Sequence, residues 1–218
     1  MPEPEPLLVA LVKPRWRGRL HIAAVAAAPV LAGLLSARAR PGAPRAAAAA
    51  AVAGLTTTWA VSAAYHALPL DHPKRPAWQR ADHVAIYAGI AGTVTPMCLT
   101  LPSRRARGAA IAGVWATAAV GALTKAILGA DSPNWPYLAM GWAGVALIPT
   151  TWQVAGPAPV ALVAAGGVAY TAGSVVLAKK APDPAPEVFG YHEVWHAATL
   201  GAAALHLLAV DRVTRHLR

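Results

Sequence analysis

The sequence predicts an all-α polytopic membrane protein with seven transmembrane helices, and three observations carry that prediction. Hydrophobic residues make up 56% of the 218 and charged residues only 13%, where a soluble domain carries about 25%. The apolar residues gather into seven runs close to the roughly 20 residues that a helix needs to cross a bilayer. The net charge of +10 sits in short basic clusters between the runs, as membrane flanks do, so no nucleic acid partner is expected. High hydrophobicity excludes a disordered chain. A single cysteine, Cys98, excludes an intrachain disulfide framework and a Cys-rich zinc site.

The elements follow in order. Residues 1–19 form an N-terminal tail, Pro-rich with Glu3 and Glu5, then basic at Lys13, Arg15, Arg17 and Arg19. The next apolar run is longer than a signal-peptide core, so no cleavage is expected. The spans cover about 20–37, 46–65, 82–101, 109–128, 135–152, 159–178 and 191–210, within a transmembrane domain of 20–211. Residues 212–218 are a short C-terminal tail. Arg38 to Arg45 with Pro41, Gly42 and Pro44 break the first two spans, and Pro69 to Arg80 the second and third. Ser103 to Arg107, Asp131 to Asn134, Gly156-Pro157 and Lys179 to Glu187 make the remaining breaks. The basic tail favours a cytoplasmic N-terminus; counted over the whole chain, tail included, Lys and Arg divide almost evenly between the two sides, and Lys125 can snorkel either way. Trp59, Trp78, Trp135, Trp142, Trp152 and Trp195 fall near span ends as an aromatic belt. Ala88/Gly92 and Ala169/Gly173 are small-residue pairs that permit close helix packing.

Ionisable groups at membrane depth are costly and mark function. Here they are His66, Asp82, His192, Glu193, His196 and His206. The second-to-third and sixth-to-seventh connections are both even-numbered, so His66, Asp82 and His192 lie at one membrane face. Ser62 and His66 are four apart and share a helix face, as do His192 and His196. Three imidazoles from two helices with an open fourth position are the pattern of a catalytic zinc site. Asp82, at the opening of the third span, is either a ligand or the holder of a bound water, and Ser62 can bond that water or orient a ligand. Structural roles compete: Asp82 as a helix N-cap, Ser62 bonded to its own helix, His206 bonded to a neighbouring helix. His21, His72, His83 and His216 read as interfacial or loop histidines.

His192-Glu193-Val194-Trp195-His196 also matches H-E-x-x-H, the zinc metalloprotease motif with Glu as general base. Its further ligand would have to come from upstream, because Asp211 lies about 20 Å or more down the same helix. Glu193 is rotated about 100° from His192 and is expected to face the headgroups.

The blocks Ser62-x-x-x-His66, Asp82-His83-Val84-Ala85-Ile86-Tyr87-Ala88-Gly89 through Pro96, Gly166 to Gly173, and Phe189-Gly190-Tyr191-His192-Glu193-Val194-Trp195-His196 together resemble the hemolysin III family, the bacterial branch of the progestin and adipoQ receptor superfamily. The resemblance covers about Ser62 to Val210. It implies seven helices with a cytoplasmic N-terminus, and a zinc on His66, His192 and His196 with Asp82 reaching it through a water and Ser62 alongside. It also implies that Glu193 is not a ligand, and a ceramidase-like hydrolase activity seen in the wider superfamily.

The expected function is therefore a zinc-dependent hydrolase of lipid amide or ester bonds in a bacterial plasma membrane, with membrane lipids as partners and the C-terminus outside. Asp82 and Ser62 would carry the catalysis. A structural zinc in a membrane-state sensor is the alternative from a different class, and an intramembrane protease a minor one. The oligomeric state is not encoded legibly.

Overall fold

In the computed structural model, described for residues 13–130, 132–133 and 135–217, every regular element is helical. The helices are α1 (Arg19–Arg38), α2 (Ala43–Ala67), α3 (Arg75–Cys98), α4 (Arg104–Leu128), α5 (Trp135–Ala143), α6 (Ile148–Ala155), α7 (Pro157–Lys179) and α8 (Tyr191–His216). A 3-10 turn, Gly144–Leu147, joins α5 to α6. The first twelve residues of the predicted tail, and Asp131 and Asn134 of the fourth break, lie outside the described residues.

Among the described residues, five helices are long and apolar enough to cross a membrane: α1, α2, α4, α7 and α8. The two others that the hydropathy reading predicts differ for local reasons. The third begins at Arg75, seven residues before the predicted start, so Asp82 sits two turns inside α3 and does not open it. Pro76 occupies the first turn, where its missing N–H costs nothing. The N-cap is Lys74, so Asp82 does not cap the helix. The predicted fifth run is broken. Pro149 has no N–H for a bond four residues back, and the chain tightens instead, with Ile148 N–H donating to the Val145 carbonyl. α8 continues to His216, with Val213 and Thr214 buried, so the predicted tail is mostly helix. Asp211 anchors that extension, paired with Arg38 at 3.3 Å and with Arg215 one turn on.

α2 is the hub. Its Ala47, Ala48, Ala51, Val52, Leu55 and Trp59 pack with Leu35 of α1, Met97 of α3, and Ala203, Leu207 and Val210 of α8. Trp59 is therefore a core residue and not part of an interfacial belt. Small residues let α2 and α3 touch backbone to backbone: a Cβ at Gly54 would stand 2.3 Å from the Ala88 carbonyl oxygen, and one at Gly92 2.5 Å from that of Ala50. Gly173 likewise admits Trp195 and Ala198 between α7 and α8. Ile22, Val30 and Leu34 of α1 and Val120, Leu123 and Ile127 of α4 face outward. Outward apolar side chains and inward small ones are the inverse of a water-soluble bundle and suit lipid as the solvent. Lys125 does not snorkel. It is buried, its ammonium donating to the carbonyls of Ala130 and Ser132 at 3.0 and 2.5 Å.

Candidate metal centre

The last turn of α2 and the first two turns of α8 meet at one end of the bundle. There His66, His192 and His196 each present a ring nitrogen, all within 4.8 Å of one another. His66 and His196 are buried and His192 half-buried. Ring centroids lie 4.9 Å apart for His66 with each of the others and 4.5 Å for His192 with His196. The i, i+4 spacing on α8 aims its two rings at one point, as the sequence spacing requires.

The donor set fits a zinc ion. Two nitrogens bound at about 2.05 Å across a tetrahedral angle stand about 3.3 Å apart. His66 Nε2 and His192 Nε2 are separated by 3.3 Å, long for a direct N–H···N bond. His66 Nδ1 is buried with no partner, so the ring is not bound up in another network.

Asp82 is outside the group of three. Its carboxylate is half-buried and lies near the Ser62 side chain. Neighbouring threonines behave differently. Thr56 and Thr57 bond back to their own helix, whereas Thr58 also donates to the Ala85 carbonyl of α3 at 2.9 Å. Thr58, Ser62 and His66 follow one another a turn apart on the face of α2 that meets α3.

Glu193 is the clearest departure from the sequence reading. It is fully buried and does not face the headgroups. Oε1 accepts from Arg17 Nε at 2.5 Å and Oε2 from the Gly190 N–H at 3.0 Å, so both oxygens are engaged in tying the start of α8 to the N-terminal segment. A carboxylate at a first helical turn also suits the helix dipole. This disposition leaves Glu193 without the role that the protease motif gives it.

The N-terminal segment, read from sequence only as a topology signal, builds one wall of the centre. Arg15 and Trp16 N–H donate to the carbonyls of Glu187 and Val188 at 3.0 and 3.1 Å, and Lys13 Nζ to that of Leu68 at 3.2 Å. Gly18 adopts φ +79°, and a Cβ there would meet His66 Cβ at 2.9 Å. His21 is buried, its ring 4.3 Å from that of His196, with Nδ1 unpartnered. Parity was the available signal, since the start of the first span lies on the same face as the end of the second. His206 stands apart: its Nε2–H donates to the Val163 carbonyl at 3.3 Å, the neighbouring-helix bond expected as the alternative. His72 accepts from the Lys74 N–H and His216 donates to the Arg212 carbonyl, both away from the centre.

Two curated proteins are similar in sequence. Hemolysin-3 homolog of Bacillus subtilis (strain 168) is 30% identical over 134 residues, 59% of this chain and 59% of that protein. Hemolysin-3 of Bacillus cereus is 29% identical over 146 residues, 65% of this chain and 64% of that protein. The matched regions thus span about six-tenths of either relative. A family model described as haemolysin-III related matches residues 9–207, most of the chain, with all three clustered imidazoles inside the match, and the chain belongs to that family.

Proposed function

We propose that this chain is a zinc-dependent hydrolase of lipid amide or ester bonds, held in a bacterial plasma membrane by seven spans, with its N-terminus in the cytoplasm and its C-terminus outside. The seven spans are the five long apolar helices together with α3 and the α5–α6 unit. The observation that carries the reading is a group of three imidazoles that no carboxylate or fourth imidazole joins among the described residues. A structural zinc site closes its fourth position with a protein ligand, whereas a catalytic one keeps it open.

His66, His192 and His196 would hold the ion as neutral donors, leaving its charge uncompensated. When bound, zinc supplies a Lewis acid that polarises a carbonyl and acidifies water. Asp82 accepts the proton from the attacking water as general base. Ser62 would donate to that carboxylate and set its orientation. The α2–α3 contact, packed through Gly54 and Gly92, fixes how far the carboxylate stands from the imidazoles. Membrane lipids reach the centre sideways, within one leaflet.

Purified protein assayed for zinc content and for hydrolysis of a ceramide and an ester lipid tests this. Wild type should carry one zinc per chain, and His66→Ala or His192→Ala should lose it. Asp82→Asn should keep zinc and lose hydrolysis, while Glu193→Gln should retain most activity. Zinc lost on Asp82→Asn from a catalytically silent wild type would replace this reading with a structural zinc site. A dead Glu193→Gln beside an active Asp82→Asn would restore the protease.

A further inference from the structure

The opposite end of the bundle, separated from the imidazoles by most of the length of α8, itself about 39 Å at 1.5 Å per residue, holds a cavity of about 550 Å³. Arg40, Arg104 and Arg107 line it together with Leu99, Leu217 and Pro44. The three guanidiniums come from the α1–α2 connection and the first turn of α4.

They have no carboxylate among the described residues. Asp211, the acid of this end, is already held by Arg38 and Arg215. Arg40 Nε donates to the Arg215 carbonyl at 3.1 Å and Arg107 Nε to that of Leu101 at 2.6 Å. Each guanidinium is thus oriented by one backbone bond while its terminal nitrogens make no hydrogen bond among the described residues. Arg104 makes no side-chain bond there at all. Three like charges around one cavity repel each other unless an anion joins them.

The residue type is informative as well. Every lysine, at 13, 74, 125, 179 and 180, lies toward the imidazole end, and the basic residues around the cavity are all arginine. A guanidinium offers paired planar donors that match phosphate, where an ammonium offers a point charge. The rest of the wall is apolar, with Leu99 and Leu217 buried behind the arginines. A free inorganic anion has no use for that wall; a lipid glycerol and the first acyl carbons do. The cavity opens where α1 ends and α4 begins, at headgroup depth.

We propose that this arginine-lined cavity binds the phosphate of an anionic phospholipid headgroup, in the leaflet opposite the metal centre. The test titrates detergent-solubilised protein with dioctanoyl phosphatidylglycerol, dioctanoyl phosphatidylcholine or inorganic phosphate, reading the thermal midpoint and the lipids retained in native mass spectra. Phosphatidylglycerol should raise the midpoint saturably and be retained, with phosphatidylcholine and phosphate giving little at equal concentration. Arg104→Gln removes a side chain with no folding contact and should weaken phosphatidylglycerol about tenfold, as one charge-assisted contact is lost. Arg107→Gln should do the same, and Lys179→Gln, at the far end, should not. Raised salt should weaken the binding. Equal responses to the two lipids, or wild-type binding by Arg104→Gln, would overturn the proposal. A phosphate response matching that of phosphatidylglycerol would replace it with a free-anion site.

Discussion

His192 and Glu193 are consecutive, yet one turns its ring to the imidazole cluster and the other is locked to Arg17 and to its own helix start. The 100° rotation per residue separates a ligand from a clamp. Gly18 completes that clamp. Its φ of +79° is a region where a Cβ costs about 1 kcal/mol, and its backbone lies against His66. Gly18→Ala should therefore disturb His66 as well as the turn, and weaken metal binding about tenfold, the lower range for residues that support a ligand. Gly42→Ala is the control. It carries φ +84° with nothing within 4 Å, so it should pay the backbone cost and leave metal affinity unchanged. Metal titration against a competing chelator reads both; equal affinities would show that Gly18 does not support His66.

At the level of helices, the α2–α3 contact decides where Ser62 and Asp82 stand. Helix propensity favours Ala over Gly by about 1 kcal/mol, but a Cβ at Gly54 would lie 2.3 Å from a carbonyl oxygen of the facing helix. Backbone cannot yield as a flexible side chain does. Gly54→Ala should therefore destabilise by about 1–3 kcal/mol, the cost of overpacking, and lower the proposed hydrolysis by moving Asp82 away from the imidazoles. Gly33→Ala on α1 has nothing within 4 Å and should be neutral or stabilising. Unfolding midpoints in one detergent check the pair, and a stable Gly54→Ala would contradict the close approach.

For the whole molecule, the imidazole cluster and the arginine cavity lie at opposite ends of α8. The N-terminal segment seals one end through Arg17 and Gly18, and the α1–α2 connection braces the other, with Arg40 N–H donating to the Thr214 carbonyl at 3.2 Å. The seven crossings proposed above would put the two termini on opposite sides. A reporter fused after Arg218 should be active only outside the cytoplasm, and one fused before Met1 only inside. A cytoplasmic signal from the C-terminal fusion would mean an even number of crossings or the reverse orientation.

Hydropathy alone reveals the helical membrane class, because an apolar run of twenty residues has few other stable fates. Parity and the i, i+4 spacing bring His66 and His192 to one end and pair His192 with His196, because both depend only on chain direction and helical pitch. Other features needed tertiary structure. The polar start of α3 is invisible to a hydropathy window, since Arg75, Arg80 and Asp82 lower its mean while the helix runs through them. Glu193 looked solvent-facing because its partner, Arg17, is 176 residues away in the chain. Sequence gives His21 only an interfacial reading, because what sets its ring 4.3 Å from that of His196 is the packing of α1 beside α8. Local periodicity decides which residues share a helix face; only the packing of distant segments decides what that face meets.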